Sequence, residues 1–333
     1  MKLHNRIAAV VAAVALCAGA FTASASADEV SLKIAGQHPI DHFGTEALNQ
    51  IEADLEAANV GLSVKTFPAG QLGYGEQVFG DVAAGAIDIG HTFIYSHNDP
   101  RLEINGLPFM VSTYDQMRAA FSPGSAFYTT FEELLDGQGV KLLGIFIEGF
   151  IGVATAKAPE NATTTGPKGV NIRIWSAEVA HASVTAMGFN TTTMNWGDVP
   201  AAIQQGTVDG LVGGTAESYY TIFRDIITHF IPYKAFVENT AYYMNKGKWE
   251  SLNAAQQEAV SAAFQKASAW SFDQIEKVDA EYTQKLADHG VTVVAISDEE
   301  LAAMGAEVVA QVQPLLEEKF GADLMARLQA DSN

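Results

Sequence analysis

Cysteine is almost absent from this chain: Cys17 is the single cysteine among 333 residues, and it lies in an apolar N-terminal stretch. Beyond that stretch the sequence has no thiol, which excludes a disulfide framework, a thiolate zinc site and a cysteine nucleophile. A lipid attached to Cys17 is not expected, because Leu16 stands where a lipidation signal carries a small residue.

Basic residues are also scarce, with 19 lysines and arginines against 39 acidic residues and a formal net charge of −20. Such a charge repels phosphate backbones and anionic lipids, so neither nucleic acids nor membrane surfaces are expected as partners. The charge by itself identifies no ligand. Hydrophobic residues make up 48% of the chain and charged residues 17%, which is the balance of a globular protein long enough for two domains.

The N-terminus has the three parts of a secretory signal peptide. Lys2 and Arg6 supply positive charge, residues 7–21 form the apolar segment, and residues 25–27 are the small residues before a cleavage site. We therefore predict that residues 1–27 are removed. No later stretch reaches the roughly 18 apolar residues of a membrane-spanning helix. An exported, cysteine-free chain is expected in the periplasm of a Gram-negative bacterium.

Strands and helices alternate along the rest of the sequence. Short apolar or alternating runs predict strands, and apolar residues at helical spacing predict helices. The predicted strands cover residues 30–35, 62–66, 86–89, 140–146, 153–156, 170–175 and 208–212. The predicted helices cover residues 41–58, 76–84, 179–187 and 199–205. This alternation is typical of βαβ units, so we predict an α/β fold with mixed, mostly parallel sheets.

The segment 251–289 differs from the rest because it contains neither proline nor glycine over 39 residues. Apolar residues recur along it at helical spacing, Ser251 is a candidate N-cap, and Gly290 is a candidate stop. One continuous helix of this length would be a spine that crosses both domains. Two shorter helices with an unmarked break between them are the alternative reading.

Several motifs occur in a specific order. Phe67-Pro68-Ala69-Gly70-Gln71-Leu72-Gly73 is followed by Gly85-Ala86-Ile87-Asp88-Ile89 and Leu107-Pro108-Phe109. The strongest block runs from Lys168-Gly169 through Arg173, Met187-Gly188 and Ala202-Ile203-Gln204 to Val208-Asp209-Gly210, and Lys246, Trp249, Leu252 and Gln256 lead into the long helix. Together these blocks resemble the solute-binding component of tripartite ATP-independent periplasmic (TRAP) transporters over nearly all of the chain after residue 27.

The resemblance implies a two-lobe α/β periplasmic binding protein with hinge strands and one long helix spanning both lobes. Lobe I would hold residues 28–148 and 237–276, and lobe II residues 149–236 and 277–333. The ligand would lie in the cleft of a monomer that delivers it to an ion-gradient-driven permease, without a cofactor. A binding protein of the ABC type is disfavoured by the long helix and the block from residue 168 to residue 210.

Signatures of enzymes are missing from the sequence, including a nucleophile elbow, a zinc-protease motif, a phosphate-binding loop and a dinucleotide fingerprint. A periplasmic hydrolase that uses His91 with a carboxylate is the alternative from another class. His38, Asp41 and His42 lie close enough in sequence to bind a metal, but this spacing near a helix start favours a solvated cap. We therefore predict neither a catalytic nor a metal site.

Arg173 stands out because it lies between Ile172 and Ile174 in an apolar strand of a chain short of arginine. Its planar fork matches a carboxylate or a sulfonate in a two-pronged contact, although an ion pair with a protein carboxylate is the structural alternative. The resemblance favours the ligand, because the family's carboxylate-binding arginine occupies the matching position.

The departures from the family pattern bear on the ligand. Gly149-Phe150-Ile151 stands where many members carry a second arginine, and Gly213 stands where many carry asparagine. We therefore expect a ligand with a single carboxylate or sulfonate and an apolar or aromatic body, or a zwitterion. A small cationic amine facing Glu148 is the alternative. The predicted ligand-binding residues are Gln37, Tyr74, His91, Phe93, Tyr95, Glu148, Arg173, Trp175, Ser176, Trp196 and Gly213.

Overall fold

A computed structural model of the chain describes residues 29–97 and 99–331, except for the side chain of residue 331. The predicted signal peptide and Cys17 lie outside these residues. In this part of the chain, no helix is both long enough and apolar enough to cross a membrane.

Helices and strands alternate as the sequence pattern predicts. The strands are β1 Val30–Gly36, β2 Leu62–Phe67, β3 Ile89–Thr92, β4 Val140–Thr155, β5 Asn171–Ile174, β6 Asn190–Thr193, β7 Gly210–Gly214, β8 His229–Asn245 and β9 Thr292–Val293. The α-helices are α1 Phe43–Ala58, α2 Gly75–Ala83, α3 Tyr114–Phe121, α4 Ala126–Asp136, α5 Glu178–Ala186, α6 Val199–Gln204, α7 Ala216–Ser218, α8 Lys246–Ser251, α9 Ala254–Asp288, α10 Asp298–Phe320 and α11 Ala322–Asp331. Pro100–Gly106 and Trp196–Asp198 are 3-10 helices, and Tyr219–Phe223 is π-helical.

The third strand begins later than the sequence predicts. The predicted strand 86–89 fails over its first three residues because the backbone N–H groups of Ala86 and Ile87 donate to the carbonyl of Asp81, 2.8 and 3.3 Å away. These bonds continue the turn after α2. The strand forms only from Ile89 onward, where it pairs with β1 and β8.

All nine strands of the described residues belong to one sheet, in the order β2-β1-β3-β8-β4-β7-β5-β6, with β9 beside β8. The pairs β1–β2, β1–β3, β5–β6, β5–β7 and β8–β9 are parallel. The three central pairs that involve β4 and β8 with β3 and β7 are antiparallel. Two mostly parallel wings therefore share an antiparallel centre.

The centre consists of two unusually long strands, β4 with 16 residues and β8 with 17. The sequence predicts two separate strands, 140–146 and 153–156, where the structure has one continuous β4. Its pairing with β8 shifts register at three places, one of them between Ile147 and Gly149. Gly149 has φ +123°, a conformation that favours glycine. The strand thus bends without ending.

The buried apolar side chains form three clusters. The first gathers residues from 32–150 and 237–275 together with residues in 312–328, and the other two centre on residues 151–236. Each of β4 and β8 contributes to the first cluster with one half and to the others with the other half. The lobe boundaries drawn from the sequence stay a prediction, and residues 312–328, which it assigns to lobe II, pack with the first cluster.

Helix α9 is continuous over 35 residues, so the prediction of one long helix is confirmed from Ala254 to Asp288. Its N-cap is Asn253 rather than the predicted Ser251, because Asn253 and Gln256 cap each other's backbone N–H groups in a capping box. Ser251 instead ends the short α8. Gly290 follows the helix with φ +98°, as expected of a helix stop.

The long helix packs along the antiparallel centre of the sheet. Ser271 Oγ accepts a hydrogen bond from the backbone N–H of Ile147, 3.1 Å away in β4. Phe264 belongs to the first apolar cluster and Leu286 to the third, so one helix bridges the cores on both sides.

A proline in the middle of α9 tests its continuity. Ala269 is exposed in that region, so Ala269→Pro should act through the backbone alone and lower the unfolding free energy by about 3 kcal/mol or more. Ala269→Ser is the matched control and should cost under about 1 kcal/mol. Urea unfolding of the protein without residues 1–27 gives both values. Equal midpoints for the two variants would reveal a break in the helix near this position.

Candidate functional site

A cavity of about 870 Å³ lies between the two wings of the sheet. The residues just after β1 and β3 line it on one side, and those of β5, β7 and the centre of β8 line it on the other. Ligands of open α/β sheets bind at such carboxyl ends of parallel strands. The cavity volume is in the range of small-molecule sites.

Ten of the eleven residues predicted from the sequence line this cavity. They are Gln37, Tyr74, Phe93, Tyr95, Glu148, Arg173, Trp175, Ser176, Trp196 and Gly213. Tyr74 stands at the mouth, with 63% of its surface exposed. The structure establishes that these residues lie in the cavity wall, and their contacts with a ligand stay a prediction.

His91 does not line the cavity. Its side chain is fully buried, its Nε2 lies 2.9 Å from Thr240 Oγ1, and its ring packs at a tilt against Tyr242 with the centroids 4.2 Å apart. Burial lowers the pKa of His91 well below its usual value, so the ring is neutral. The structure therefore places His91 behind the wall, where a hydrolytic water or an ester has no access to it.

Arg173 is anchored by the backbone of its own lobe. Its Nε donates to the carbonyl of Met194 at 2.9 Å and its Nη1 to the carbonyl of Val212 at 3.1 Å. The guanidinium also lies over the Trp196 ring, with 5.3 Å between Cζ and the ring centroid. No carboxylate among residues 29–97 and 99–331 forms an ion pair with it. The side chain is thus fixed in orientation, and the charge of Glu238 acts on it without an ion-pair contact.

Gly213 makes room for this arginine. A Cβ built at position 213 would lie 3.0 Å from Arg173 Nη1 and 3.1 Å from Trp175 Cε3, and the residue has φ +111°. Any larger residue would both strain the backbone and press on the guanidinium. Gly213 therefore leaves the space that the guanidinium of Arg173 and the indole of Trp175 occupy in the wall.

A group of ionisable side chains surrounds Glu148, which also lines the cavity. His38 Nε2 is 3.3 Å from Glu148 Oε1, and His42 Nε2 is 3.8 Å from Glu148 Oε2 and 3.4 Å from Glu217 Oε2. Burial lowers the pKa of His42 to about 4 and that of His38 well below its usual value. The two imidazoles are therefore neutral and supply no positive charge.

Glu238 is a functional candidate that the sequence analysis missed. It lies in β8 opposite Gly149 of β4, which brings it beside Glu148, and both carboxylates line the cavity. Burial, partly offset by the charge of Arg173, raises the pKa of Glu238 to about 8. Burial and the charges of Glu238 and Glu217 raise the pKa of Glu148 well above its usual value. A signal was present in the sequence, since Glu238 and Asn239 interrupt an apolar strand.

The histidines near Glu148 also decide whether a metal fits. Among the described residues, His38, His42 and Glu148 form a group whose ligand atoms all lie within 4.8 Å of one another. His42 Nδ1, however, accepts a hydrogen bond from the backbone N–H of Gly44 at 3.0 Å. The proton of neutral His42 is then on Nε2, the atom that a shared metal would require. The arrangement suits an N–H donor facing carboxylates better than a metal ligand.

Comparisons with known proteins agree with the fold and the cleft. Residues 35–319 match the family model described as bacterial extracellular solute-binding protein, family 7. A solute-binding protein of Verminephrobacter eiseniae is 24% identical over 306 residues, 91% of this chain and 82% of the relative. The ectoine-binding periplasmic protein TeaA of Halomonas elongata is 25% identical over 249 residues, 70% of this chain and 69% of the relative.

A solved structure has the same fold. It is a TRAP periplasmic solute-binding protein from Polaromonas bound to D-erythronate, with 22% identity and a TM-score of 0.80. The match covers 91% of this chain and 99% of the other.

Burial of a carboxyl group at position 238 should make stability depend on pH. Unfolded Glu238 ionises near its ordinary value of 4.5, whereas the folded protein keeps its proton until about pH 8. Between these values the unfolded state loses the proton first, so rising pH destabilises the wild type through this group. Glu238→Gln cannot ionise and should gain stability relative to the wild type across that window.

Urea unfolding at about pH 5 and about pH 8.5 measures the effect. The advantage of Glu238→Gln over the wild type should be larger at the higher pH. Glu258→Gln, at an exposed position of α9, is the matched control and should show the same difference at both. An advantage of Glu238→Gln that does not grow with pH would mean that the folded protein carries Glu238 ionised.

Proposed function

The chain belongs to family 7 of the bacterial extracellular solute-binding proteins, and on this premise we propose that it captures a small organic solute whose single acidic group binds Arg173. It is the solute-binding component of a TRAP transporter, as its sequence motifs predict, and members of this class deliver small molecules to membrane permease subunits. We further propose that it acts as a monomer in the periplasm after loss of residues 1–27.

The observation that carries the proposal is the state of Arg173. Arg173 is buried, with 5% of the residue's surface exposed, and two backbone carbonyls and one indole fix the plane of its guanidinium. Burial lowers the pKa of Arg173, and yet a guanidinium this basic stays charged. An unpaired buried charge is costly. An anionic group of the solute would supply the missing charge through a two-pronged contact.

The remainder of the wall argues for a single acidic group. Among the cavity-lining residues that the structure describes, Arg173 is the one lysine or arginine. Ile151 lines the wall in the motif where many relatives carry a second arginine. A second buried carboxylate would have no cation there and would cost several kcal/mol. Phe93, Trp175 and Phe236 offer aromatic surface instead, which suits an apolar or aromatic body.

Closure of the cleft follows from the shared strands. The solute contacts residues after β1 and β3 on one lobe and residues of β5 and β7 on the other, and it can contact both sets only when the lobes approach. Binding therefore shifts the population toward the closed form. One register shift in the pairing of β4 with β8, between Ile147 and Gly149, coincides with the predicted lobe boundary, and we propose that the bending occurs there.

Replacing Arg173 with lysine tests the clamp. Arg173→Lys keeps the charge but loses the planar fork, so the affinity for an acidic solute should fall by about tenfold or more, which is about 1.4 kcal/mol. A thermal-shift screen of monocarboxylates, sulfonates, D-erythronate and succinate selects the tightest binder as the test solute. Titration calorimetry then measures its affinity for the wild type and for Arg173→Lys.

Arg118→Lys is the matched control, because Arg118 forms a half-exposed ion pair with Asp273 at 2.6 Å outside the cavity. It should bind as the wild type does. An Arg173→Lys protein with unchanged affinity would exclude a forked contact. Succinate that binds more tightly than every monocarboxylate would overturn the single acidic group.

A further inference from the structure

Two buried acidic side chains face the cavity, and no lysine or arginine among residues 29–97 and 99–331 forms an ion pair with either; from them we propose that the solute also carries a cationic group, which binds between Glu148 and Glu238. The solute is then a zwitterion whose acidic end lies at Arg173 and whose ammonium or similar cation lies at the hinge strands. This inference rests on the proposed function and narrows its solute class.

The two carboxylates come together through the irregular pairing of β4 and β8. Ile147 pairs with Asn239 and Gly149 pairs with Glu238, so Glu148 is the extra residue of a bulge directly beside Glu238. A bulge re-aims one side chain of a strand. Here it directs Glu148 into the same cavity as Glu238, and like charges side by side repel each other unless a cation or a proton separates them.

Neither carboxylate has its hydrogen-bonding capacity satisfied. Glu148 is 4% exposed and Glu238 is 9% exposed, and within the part of the chain that the structure describes Glu148 Oε1 and Glu238 Oε2 have no hydrogen-bond partner. His38 lies 3.3 Å from Glu148 Oε1 but without the alignment of a hydrogen bond, and its Nε2 is equally unpartnered. Buried polar atoms without partners are rare in folded proteins, so these two oxygens mark a place in the wall where a polar group of the solute can bind.

The protein's own cations do not fill this role. The charge of Glu238 acts on the pKa of Arg173. Among the described residues, however, Arg173 forms no ion pair with Glu238 or Glu148. Its Nε and Nη1 instead donate to the carbonyls of Met194 and Val212. His38 and His42 are neutral through burial. Without a solute, the two carboxyl groups keep their protons, as their raised pKa values require. A cation brought by the solute would replace those protons and supply the opposite charge.

The rest of the wall suits a cation as well. Phe93 lines the cavity beside this group, with its ring centroid 6.3 Å from that of His38. Aromatic faces attract ammonium groups and tolerate their alkyl substituents. A primary amine and a quaternary ammonium thus both fit the chemistry of the subsite.

Isosteric pairs test the proposal on the wild-type protein. In each pair the cationic nitrogen of a zwitterion is replaced by carbon: γ-aminobutyrate with valerate, taurine with propanesulfonate, and glycine betaine with tert-butylacetate. Titration calorimetry should give at least one zwitterion that binds about tenfold or more tightly than its isostere. Isosteres that bind as tightly as the zwitterions in all three pairs would overturn the cation subsite, and so would failure of all three zwitterions to bind.

Two variants locate the effect. Glu148→Gln and Glu238→Gln should each reduce the ratio of zwitterion to isostere affinity by about tenfold, while Glu258→Gln on the exposed face of α9 should leave the ratio unchanged. A ratio that survives in both carboxylate variants would also overturn the subsite.

The outcomes separate the two proposals. If acids without a cation bind and weaken in Arg173→Lys while the zwitterions show no preference, the cation subsite is wrong and the receptor for an acidic solute stands. If no acid binds, zwitterionic or not, or if binding is indifferent to Arg173→Lys, both proposals fail.

Discussion

The antiparallel pairing of β4 with β8 is the constraint on which the rest of the structure depends. These strands are long enough to belong to the apolar cores on both sides, so one half of each strand packs in one lobe and the other half in the other lobe. The same pairing sets the position of Glu148 and Glu238 through its bulge. Because a continuous ladder joins the lobes, the hydrogen bonds that hold the fold together also determine where the cavity lies and which side chains reach it.

The sequence revealed features that depend on local chemistry. Arg173 could be recognised from the sequence because an arginine between two isoleucines in an apolar strand indicates a charged side chain in a buried environment, where arginine is rare. The long helix could be found because neither proline nor glycine interrupts it. Ten of the eleven predicted site residues line the cavity, and most of them, though not Tyr74 or Glu148, lie at or just after strand ends, which converge in an α/β sheet.

Features that depend on distant pairing were beyond the reach of the sequence. Glu148 and Gly149 interrupt an apolar run and so divided β4 into two predicted strands, whereas in the structure they are the bulge within one strand. Glu238 acquires its significance only from its neighbour across the ladder. His91 looked like a wall residue by its alternation with Phe93 and Tyr95, but the packing of Tyr242 and Phe146 against its ring places it in the interior.

Because the nine strands of the described residues form a single sheet, the two lobes are connected by continuous β-strands rather than by a flexible linker. Any separation of the lobes has to bend or twist the central strands. Helix α9 packs along those strands and resists this deformation. The resting aperture of the cleft is then a mechanical equilibrium. Substitutions in the central strands or in α9, away from the cavity, would shift that equilibrium and so change the affinity for the solute without altering a contact in the cavity wall.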